Sequence, residues 1–281
     1  MKKNYFYPVF PNGKEKVFTL SYDDGIDSDA RLVEMMRRHG VRGTFNICSG
    51  RMPDAPLMHD EKHLWQKMTV QQCLEVYGED MEIAIHGATH PWWARLPSDA
   101  AMLDILEDRR ALERMTGKII RGGAYPEGSF SDSVVETLRL AGVAYCRTTK
   151  STGDLTALPN DPLRLRPTCH HTDPKLMELA QKFIDAPQNG KMRMFYVWGH
   201  TFEFVREDNW QLMEDLLTLV GGREDVWYTT NIEMIDYLDA VKRLEYNVDQ
   251  TLVHNPTATE LWLCCSGAEP VCVPAGATVS L

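Results

Sequence analysis

The chain has 281 residues, and its 40 acidic and 30 basic side chains give a formal net charge of −10. A net negative charge gains nothing from nucleic-acid phosphates or anionic lipids, which argues against nucleic acid and membrane surfaces as partners. Hydrophobic residues make up 43% and charged residues 25%, a composition typical of a globular protein with a sizeable core.

The N-terminal region lacks the pattern of a secretory signal. Pro8 and Pro11 interrupt the first apolar run, whereas a signal peptide needs about 7–15 consecutive apolar residues and a membrane span needs roughly 20. The seven cysteines include no C-x-x-C pair, and Cys264-Cys265 is expected in a buried strand. These features predict a cytoplasmic protein.

Short segments with strand character alternate with segments of helical periodicity along most of the chain. The predicted strands are residues 17–22, 41–47, 81–85, 119–125, 143–148, 163–166, 194–198 and 226–230. The predicted helices are residues 28–39, 70–77, 98–115, 131–140, 173–183, 210–220 and 232–243. Serial β-α pairs imply parallel strands with helices outside, because a parallel connection needs a crossover of about a dozen residues. The pattern predicts an α/β fold, for which a barrel is the economical closure.

Two regions depart from this alternation. Residues 49–68 contain Pro, His and Trp without a clear period, and we expect an insertion loop that lines a cleft. After Tyr246, short alternating runs separated by turn residues such as Gly267 predict a few antiparallel strands. We therefore assign residues 1–246 to the barrel and residues 247–281 to a small β-rich module. The module is expected to cover the barrel or to mediate self-association, and a homo-oligomer is left open.

Two polar motifs follow predicted strands, where parallel barrels carry their catalytic side chains. Asp23-Asp24-Gly25 ends the first strand, and adjacent carboxylates repel each other unless they share a cation or a proton. His86 and His90 follow another strand, and a spacing of four can direct both imidazoles to one ion. Each motif alone also fits a plain turn or a structural histidine pair. Together they predict a His-His-carboxylate site for one divalent cation, with positions open to water and substrate.

Two more polar residues lie at predicted strand ends. Arg121 belongs to the strand at residues 119–125, and His200 follows the strand at residues 194–198. The alternatives are a surface salt bridge for Arg121 and a satisfied core histidine for His200. Polar residues at four separate strand ends favour one shared site.

In this order the motifs resemble those of polysaccharide deacetylases, the carbohydrate esterase family four with its nodulation-type deacetylase domain. The family motif T-F-D-D-G is similar to residues 21–25, S-Y-D-D-G, and H-[ST]-x-x-H is similar to residues 86–90, with Gly87 in place of the hydroxyl residue. The motif R-x-P-[FY] is similar, in a looser form, to residues 121–128, R-G-G-A-Y-P-E-G. A strand that ends in His matches residues 197–200. The resemblance extends over roughly residues 16–243.

The resemblance implies a distorted (β/α)7-8 barrel with a small C-terminal β-strand appendage. It also implies one divalent metal ion, with Zn²⁺ preferred and Co²⁺ or Fe²⁺ acceptable. The residue roles that it implies are Asp23 as general base, Asp24, His86 and His90 as metal ligands, His200 as general acid, Arg121 as the group that orients Asp23, and Tyr125 as a backbone N–H donor to the oxyanion.

One family element has no convincing match here. Relatives carry a D-x-x-D-W motif that supplies an aspartate near the acidic His and a Trp wall for the acetyl methyl group. Candidates for the carboxylate are Asp154, Asp161 and Asp173, and candidates for the wall are Trp198 and Trp65. The pair His170-His171 is expected in a solvated loop, with the cleft as the alternative.

The resemblance implies a hydrolase that removes an N-acetyl group from an amino-sugar-containing substrate, either a polymer, an oligosaccharide or a small sugar derivative. Two alternatives remain. One barrel supports many reactions, so the bond could be another C–N or O-acyl bond in a small cytoplasmic metabolite. The second alternative is a non-catalytic carbohydrate-binding protein. A complete set of base, metal ligands, arginine and acid argues against it.

Overall fold

The computed structural model describes residues 5–60, 64–265 and 269–281, so the predicted turn residue Gly267 lies outside the described residues. The strands are β1 (Phe6–Val9), β2 (Lys16–Asp23), β3 (Gly43–Ile47), β4 (Glu82–Ile85), β5 (Gly122–Ala124), β6 (Tyr145–Arg147), β7 (Cys169–His170), β8 (Arg193–Gly199), β9 (Val226–Tyr228), β10 (Glu245–Tyr246), β11 (Leu252–His254), β12 (Leu261–Cys265), β13 (Val271–Val273) and β14 (Thr278–Ser280). The helices are α1 (Asp29–Arg38), α2 (Val70–Tyr77), α3 (Ser98–Thr116), α4 (Asp132–Leu140), α5 (Leu176–Asp185), α6 (Thr201–Glu207), α7 (Trp210–Val220) and α8 (Asn231–Val241).

Strand β2 organises the main sheet. All eight of its residues are buried, as expected for a parallel strand covered on both faces. The sheet order is β6-β5-β4-β3-β2-β8-β7, and β9 pairs with the first half of β2. Every pairing in this sheet is parallel. A parallel bridge between Arg147 and Leu165 joins β6 to the segment that leads into β7. The sheet therefore curls on itself, and the predicted α/β class with a distorted parallel barrel is confirmed.

The helices pack outside the sheet, and the sequence explains several of their boundaries. The largest apolar cluster contains Phe18, Phe45 and Tyr77, with the Phe45 and Tyr77 rings stacked at 4.5 Å between centroids. Helix α2 begins with a capping box, in which the Thr69 hydroxyl accepts the Gln72 N–H and the Gln72 side chain accepts the Thr69 N–H. This cap fixes the residue at which helix α2 begins.

Two predicted strands differ from the structure, and two short elements were not predicted. Residues 163–166 do not form a strand, because Pro162 begins a short 3₁₀ turn there. Strand β7 has only two residues and α6 only seven, too short for a periodic pattern to stand out. The strand predicted at residues 119–125 is limited to Gly122–Ala124, which matters for the position of Arg121.

The C-terminal residues form two small antiparallel sheets, β1-β12-β13 and β10-β11-β14. Strand β1, from the start of the chain, pairs with β12, so that Phe6 lies opposite Cys265. Cys265 is buried and Cys264 half-buried in β12, close to the expectation for this pair. The division into residues 1–246 and 247–281 stays a prediction. Among the described residues, no helix combines the length and apolarity needed to cross a bilayer.

Candidate metal centre and hydrolytic site

Three candidate metal ligands meet at the carboxyl ends of β2 and β4. Asp24, His86 and His90 each present one ligand atom, and these atoms lie within 4.8 Å of one another. Oδ1 of Asp24 is 4.0 Å from Nε2 of His90. The structure thus brings together the ligand set that the spacing predicts, and its donors suit zinc and similar divalent cations.

The backbone is strained at two of these ligands. Asp24 has φ of 87° and His90 has φ of 57°, in the left-handed region that residues with a side chain seldom occupy. Gly87, between the two histidines, has φ of 75°, and a Cβ there would lie 2.9 Å from Oδ2 of Asp104. Strain of this kind persists where surrounding structure enforces it, commonly at functional sites. The positive φ and the short distance to Asp104 explain why glycine suits position 87 in this chain.

Two aspartates on α3 hold the segment between His86 and His90. Asp108 accepts the backbone N–H of His86 and that of Ser49, each at 2.9 Å. Asp104, one turn earlier, accepts the backbone N–H of Thr89 at 3.1 Å and the indole N–H of Trp93 at 2.9 Å. Because both carboxylates come from one helix, the ligand-bearing segment is fixed as a unit. Sequence reasoning missed these residues, although their spacing of four on a predicted helix was visible.

The imidazole of His86 is prepared for metal binding. Its Nδ1 donates to the carbonyl oxygen of Ala124 at 2.9 Å, which leaves Nε2 unprotonated and free to bind. Burial lowers the pKa of His86 to about 4, so the ring is neutral at neutral pH. Metal ligation requires this neutral form. The residues present therefore fit a divalent cation.

Lys67, from the end of the insertion loop, contacts Asp24 directly. Its Nζ donates to the Asp24 carbonyl oxygen at 2.7 Å and lies 3.1 Å from Oδ1 of the same residue. Burial alone would raise the pKa of Asp24, but the Lys67 charge and nearby imidazoles outweigh burial and lower this pKa to about 2. Asp24 therefore carries a negative charge across the physiological pH range, as a candidate metal ligand requires.

Asp23 lies between the ligand set and His200. Its Oδ2 is 3.7 Å from Nε2 of His86 and 3.9 Å from Nε2 of His200. Asn46 donates to Oδ1 at 2.8 Å, and Arg147 donates to Oδ2. Burial opposes the charge on Asp23, but the Arg147 guanidinium and the two imidazoles lower its pKa below the usual value. A buried, ionised carboxylate at this position is suited to accept a proton.

The prediction that Arg121 orients Asp23 is wrong. Arg121 precedes β5, at the opposite end of the sheet from the site, and its Nη1 donates to Asp236 at 3.0 Å on the surface. The arginine beside Asp23 is Arg147, the last residue of β6 and only 1% exposed. Its guanidinium lies 4.2 Å from the centroid of the Trp198 ring. The sequence did contain a signal for Arg147, because this residue lies near the carboxyl end of the strand predicted at residues 143–148.

The predicted oxyanion role of Tyr125 is also wrong. The Tyr125 backbone N–H donates to the carbonyl oxygen of Arg147 at 3.0 Å, so sheet pairing already uses this donor. The Tyr125 hydroxyl donates to the Leu163 carbonyl oxygen at 2.6 Å inside the core. Tyr125 therefore stabilises the wall of the barrel near β5 and β6.

The carboxylate beside His200 is Glu203, from the first turn of α6. Its Oε2 accepts the His200 backbone N–H at 3.1 Å and lies 3.3 Å from His200 Nδ1. Burial by itself would lower the pKa of His200, but the Glu203 hydrogen bond and the Asp23 and Asp24 charges raise it. At neutral pH these interactions favour the protonated imidazole. The sequence signal was a glutamate three residues after His200.

The three aspartates predicted for this role are wrong. Asp154 accepts the Thr156 backbone N–H at 2.8 Å, and Asp173 accepts that of Lys175 at 2.9 Å, both within their own loops. Asp161 pairs with Arg164. These local contacts direct each carboxylate away from His200.

Trp198 and Trp65 occupy two different positions near the site. Trp198 is 8% exposed, and its ring centroid lies 5.9 Å from that of His200. Trp65 stacks on Phe202 at 5.1 Å, and Phe202 lies 5.1 Å from the His200 ring. Trp198 thus lies directly beside His200, whereas Trp65 contacts Phe202, which in turn lies beside His200. Their roles as substrate contacts stay predictions.

The fold and the site together define a parallel α/β barrel with a candidate divalent-metal site at the carboxyl ends of its strands. Residues 11–146 match the model of the polysaccharide deacetylase family. The resemblance of the motifs to this family is thereby confirmed over these residues. The search for curated relatives found no match.

Solved structures share the fold at low sequence identity. A Mycobacterium smegmatis protein named as a polysaccharide deacetylase is 17% identical with a TM-score of 0.57, over 84% of this chain and 94% of that chain. A family 4 acetyl xylan esterase from Clostridium thermocellum, in complex with a cobalt ion, is 15% identical with a TM-score of 0.52, over 79% and 91% of the two chains. The match to Streptococcus pyogenes deacetylase PplD, in complex with acetate, is 17% identical with a TM-score of 0.44 and spans 52% of this chain and 62% of that chain.

Proposed function

We propose that the protein is a divalent-metal-dependent hydrolase that removes an N-acetyl group from an amino-sugar-containing substrate. The observation that carries this proposal is the position of Asp23. Its Oδ2 lies 3.7 Å from a metal-ligand imidazole on one side and 3.9 Å from the His200 imidazole on the other. A base between a candidate cation and a candidate acid suits metal-assisted hydrolysis of an amide.

Asp24, His86 and His90 would hold the cation, and zinc suits two imidazoles and one carboxylate, with cobalt or iron as alternatives. When bound, a divalent cation polarises the acyl carbonyl group and makes a nearby water more acidic. The family match and the acetylated-sugar names among the similar structures support an acetyl group on a sugar as the substrate.

Asp23 accepts the proton of the attacking water at Oδ2. The Arg147 guanidinium keeps this carboxylate ionised, and the Asn46 amide fixes the other oxygen at 2.8 Å. Both partners are themselves buried, so the carboxylate has little freedom to rotate. Positioning of this kind is part of the rate enhancement, because the base need not be ordered during the reaction.

His200 donates a proton from Nε2 to the departing nitrogen. Glu203 binds its Nδ1 side at 3.3 Å and its backbone N–H at 3.1 Å, which orients the ring toward Asp23. The separation of 3.9 Å between His200 Nε2 and Asp23 Oδ2 exceeds a hydrogen bond, so the acid and the base do not simply neutralise each other. Trp198 and Trp65 would border the acyl group and the sugar.

The experiment is acetate release from chitooligosaccharides, N-acetylglucosamine and O-acetylated xylan oligomers, with the metal-reconstituted protein. We expect release from the N-acetylated sugars, abolished by Asp23→Asn or His200→Ala. The matched control is His254→Ala, a histidine of β11 in the C-terminal module. Release only from the O-acetylated substrate would contradict N-deacetylation and would favour hydrolysis of an O-acyl bond. Sugar binding without any acetate release would favour a non-catalytic binding protein.

A further inference from the structure

A second group of nitrogen and oxygen donors lies beside the site. We define the histidine cluster as His170, His171, His200 and Glu203. His170 ends β7, His171 follows it, His200 follows β8, and Glu203 belongs to α6. Only His200 and Glu203 have a part in the reaction proposed above, so His170 and His171 need a separate explanation.

One oxygen of Glu203 has more nitrogen neighbours than it can accept. Oε2 lies 3.2 Å from Nε2 of His170, 3.4 Å from Nε2 of His171, and 3.3 Å from Nδ1 of His200. The backbone nitrogen of His200 is also 3.1 Å away. A carboxylate oxygen has two lone pairs, so four well-aligned hydrogen bonds cannot form at once. Hydrogen bonding alone therefore leaves part of this cluster unsatisfied.

His171 is the group left without a partner. It is 1% exposed, and neither ring nitrogen makes a hydrogen bond to a described residue. Its ring lies between Tyr22 and Phe204, with centroids 5.7 and 4.2 Å away. Burial lowers the pKa of His171 to about 3, so the ring is neutral and keeps a nitrogen lone pair. A buried polar ring near a carboxylate, without a hydrogen bond, requires an explanation, and a bound cation beside it would supply one.

The backbone leaves space for this ring. A Cβ on Gly199 would lie 2.0 Å from Nδ1 of His171, so any residue larger than glycine at this position would displace the imidazole. Gly199 is the last residue of β8 and has an ordinary strand conformation. The close approach thus arises from the packing of His171 against the strand, and the cluster depends on it.

The distances in the cluster suit a tetrahedral cation. Zinc binds imidazole nitrogen and carboxylate oxygen at about 2.0–2.2 Å, which places neighbouring tetrahedral ligands about 3.3 Å apart. The observed separations from Glu203 Oε2 are 3.2 Å for His170 and 3.3 Å for His200. One ligand atom from each of His170, His200 and Glu203 lies within 4.8 Å of the other two. His171 lies outside this group of three, and its Nε2 borders the site 3.4 Å from Glu203 Oε2.

The tautomer of His170 can support this binding. Its Nδ1 lies 2.7 Å from the Thr172 hydroxyl oxygen and 3.2 Å from the Thr172 backbone nitrogen. The Thr172 backbone N–H donates to Nδ1, so Nε2, the atom next to Glu203, carries the ring proton in this structure. Binding of a cation at Nε2 requires this proton to move to Nδ1, where the Thr172 hydroxyl oxygen can accept it in place of the backbone contact.

We propose that the histidine cluster is a second site for a divalent cation such as Zn²⁺, and that a cation there inhibits the enzyme. The inhibition rests on the proposed function, whereas the binding does not. A cation on Nδ1 of His200 replaces the proton of the imidazolium and occupies Glu203. Nε2 then carries only the proton of a neutral imidazole, a far weaker acid for the departing nitrogen.

The binding test is a zinc count on protein stripped with a chelator, by equilibrium dialysis against Zn²⁺. We expect two zinc ions per wild-type chain, one in His170→Ala and His170→Gln, and two in the control His254→Ala. His86→Ala should retain one zinc ion, and His86→Ala/His170→Ala should retain none. Thermal unfolding of each apo variant verifies that it is folded. One zinc ion per wild-type chain, or two in both His170 variants, would overturn the site.

The activity test compares acetate release at one and at several equivalents of zinc. Wild-type activity should fall by about 10²-fold or more as the second site fills, the size of a general-acid contribution. The His170 variants should match wild-type activity at one equivalent within about twofold and should not be inhibited. Inhibition that persists in both variants would contradict the proposed regulation. If the wild type releases no acetate at all, the proposed function fails while the zinc count still decides the site.

Discussion

Two carboxylates at opposite ends of the sheet have very different partners. Asp23, at the carboxyl end of β2, contacts the Arg147 guanidinium and lies near the imidazoles of His86 and His200. Glu82, at the amino end of β4, accepts hydrogen bonds from neutral groups, which are the hydroxyls of Thr44 and Tyr145 and the backbone N–H of Ile232. One carboxylate is surrounded by positive charge and the other by uncharged donors.

The difference appears in the proton affinity of the two groups. Burial raises the pKa of Glu82 to about 7, because its neutral hydrogen-bond donors do not compensate for lost hydration. Burial acts on Asp23 in the same direction, but Arg147 and the imidazoles lower its pKa below the usual value. Enclosure alone therefore does not make a catalytic base. The charged partners at the carboxyl end distinguish Asp23, the proposed base, from Glu82.

The largest expected effect comes from neutralising Asp23. Asp23→Asn should reduce kcat for acetate release by about 10²–10⁴-fold, the range for a general base. Glu82→Gln, the same change at the amino end, should leave kcat within about twofold, because Glu82 lies far from the reacting atoms. Steady-state kinetics on both variants provides the measurement. Equal losses in the two variants would contradict the distinction between the ends of the sheet.

A smaller effect is expected from Asp108, which acts on a metal ligand through its backbone. Asp108→Asn should weaken metal affinity by about 10–100-fold, because the side chain keeps only one acceptor oxygen for the backbone N–H groups of His86 and Ser49. The control is Glu107→Gln, an exposed neighbour on the same helix. Competition with a chromophoric chelator measures the affinity. Unchanged affinity in Asp108→Asn would show that the ligand segment is held by other contacts.

The pH dependence tests the carboxylate beside the acid. The Glu203 hydrogen bond raises the pKa of His200, so activity should fall only when the pH rises above that elevated pKa. Glu203→Gln removes the charge, so the loss of activity should begin at a lower pH, while the acidic limb set by Asp23 stays in place. The exposed Glu207→Gln, on the same helix, is the control. An unshifted basic limb would contradict the role of Glu203.

The smallest effect concerns stability rather than activity. A carboxyl group whose pKa is raised on folding stabilises the protein fully below its unfolded pKa and loses that contribution as the pH rises through its folded pKa. Glu82 should therefore contribute about 3 kcal/mol less at pH 7 than at pH 4. Urea unfolding of wild type and Glu82→Gln should show a smaller pH dependence in the variant. The same slope in both proteins would contradict the raised pKa.

The sequence predicted the three candidate metal ligands that the structure brings together, but not all of their neighbours. Asp24, His86 and His90 could be found because motif spacing and the ends of long, strongly patterned strands are local properties. Arg121 was misplaced because the predicted strand began three residues too early, which moved it from the amino end of β5 into the strand. A small error in a predicted strand boundary can therefore assign a side chain to the wrong edge of the sheet.

The missed residues depend on contacts between distant segments. Arg147 reaches Asp23 across a sequence separation of 124 residues, through a curvature of the sheet that no local pattern encodes. Glu203 and His200 are close in sequence, but their relation requires α6 to begin directly after β8. The parallel barrel itself was predictable, because regular alternation of strands and helices permits few topologies.

The most direct test of the central claim is acetate release before and after removal of the metal. Stripped wild-type protein should be inactive, and one equivalent of Zn²⁺ or Co²⁺ should restore release from N-acetylated sugars. His86→Ala and His90→Ala should not recover at the same metal concentration. Full activity in the stripped protein, or recovery in both variants, would contradict a metal-dependent site built on Asp24, His86 and His90.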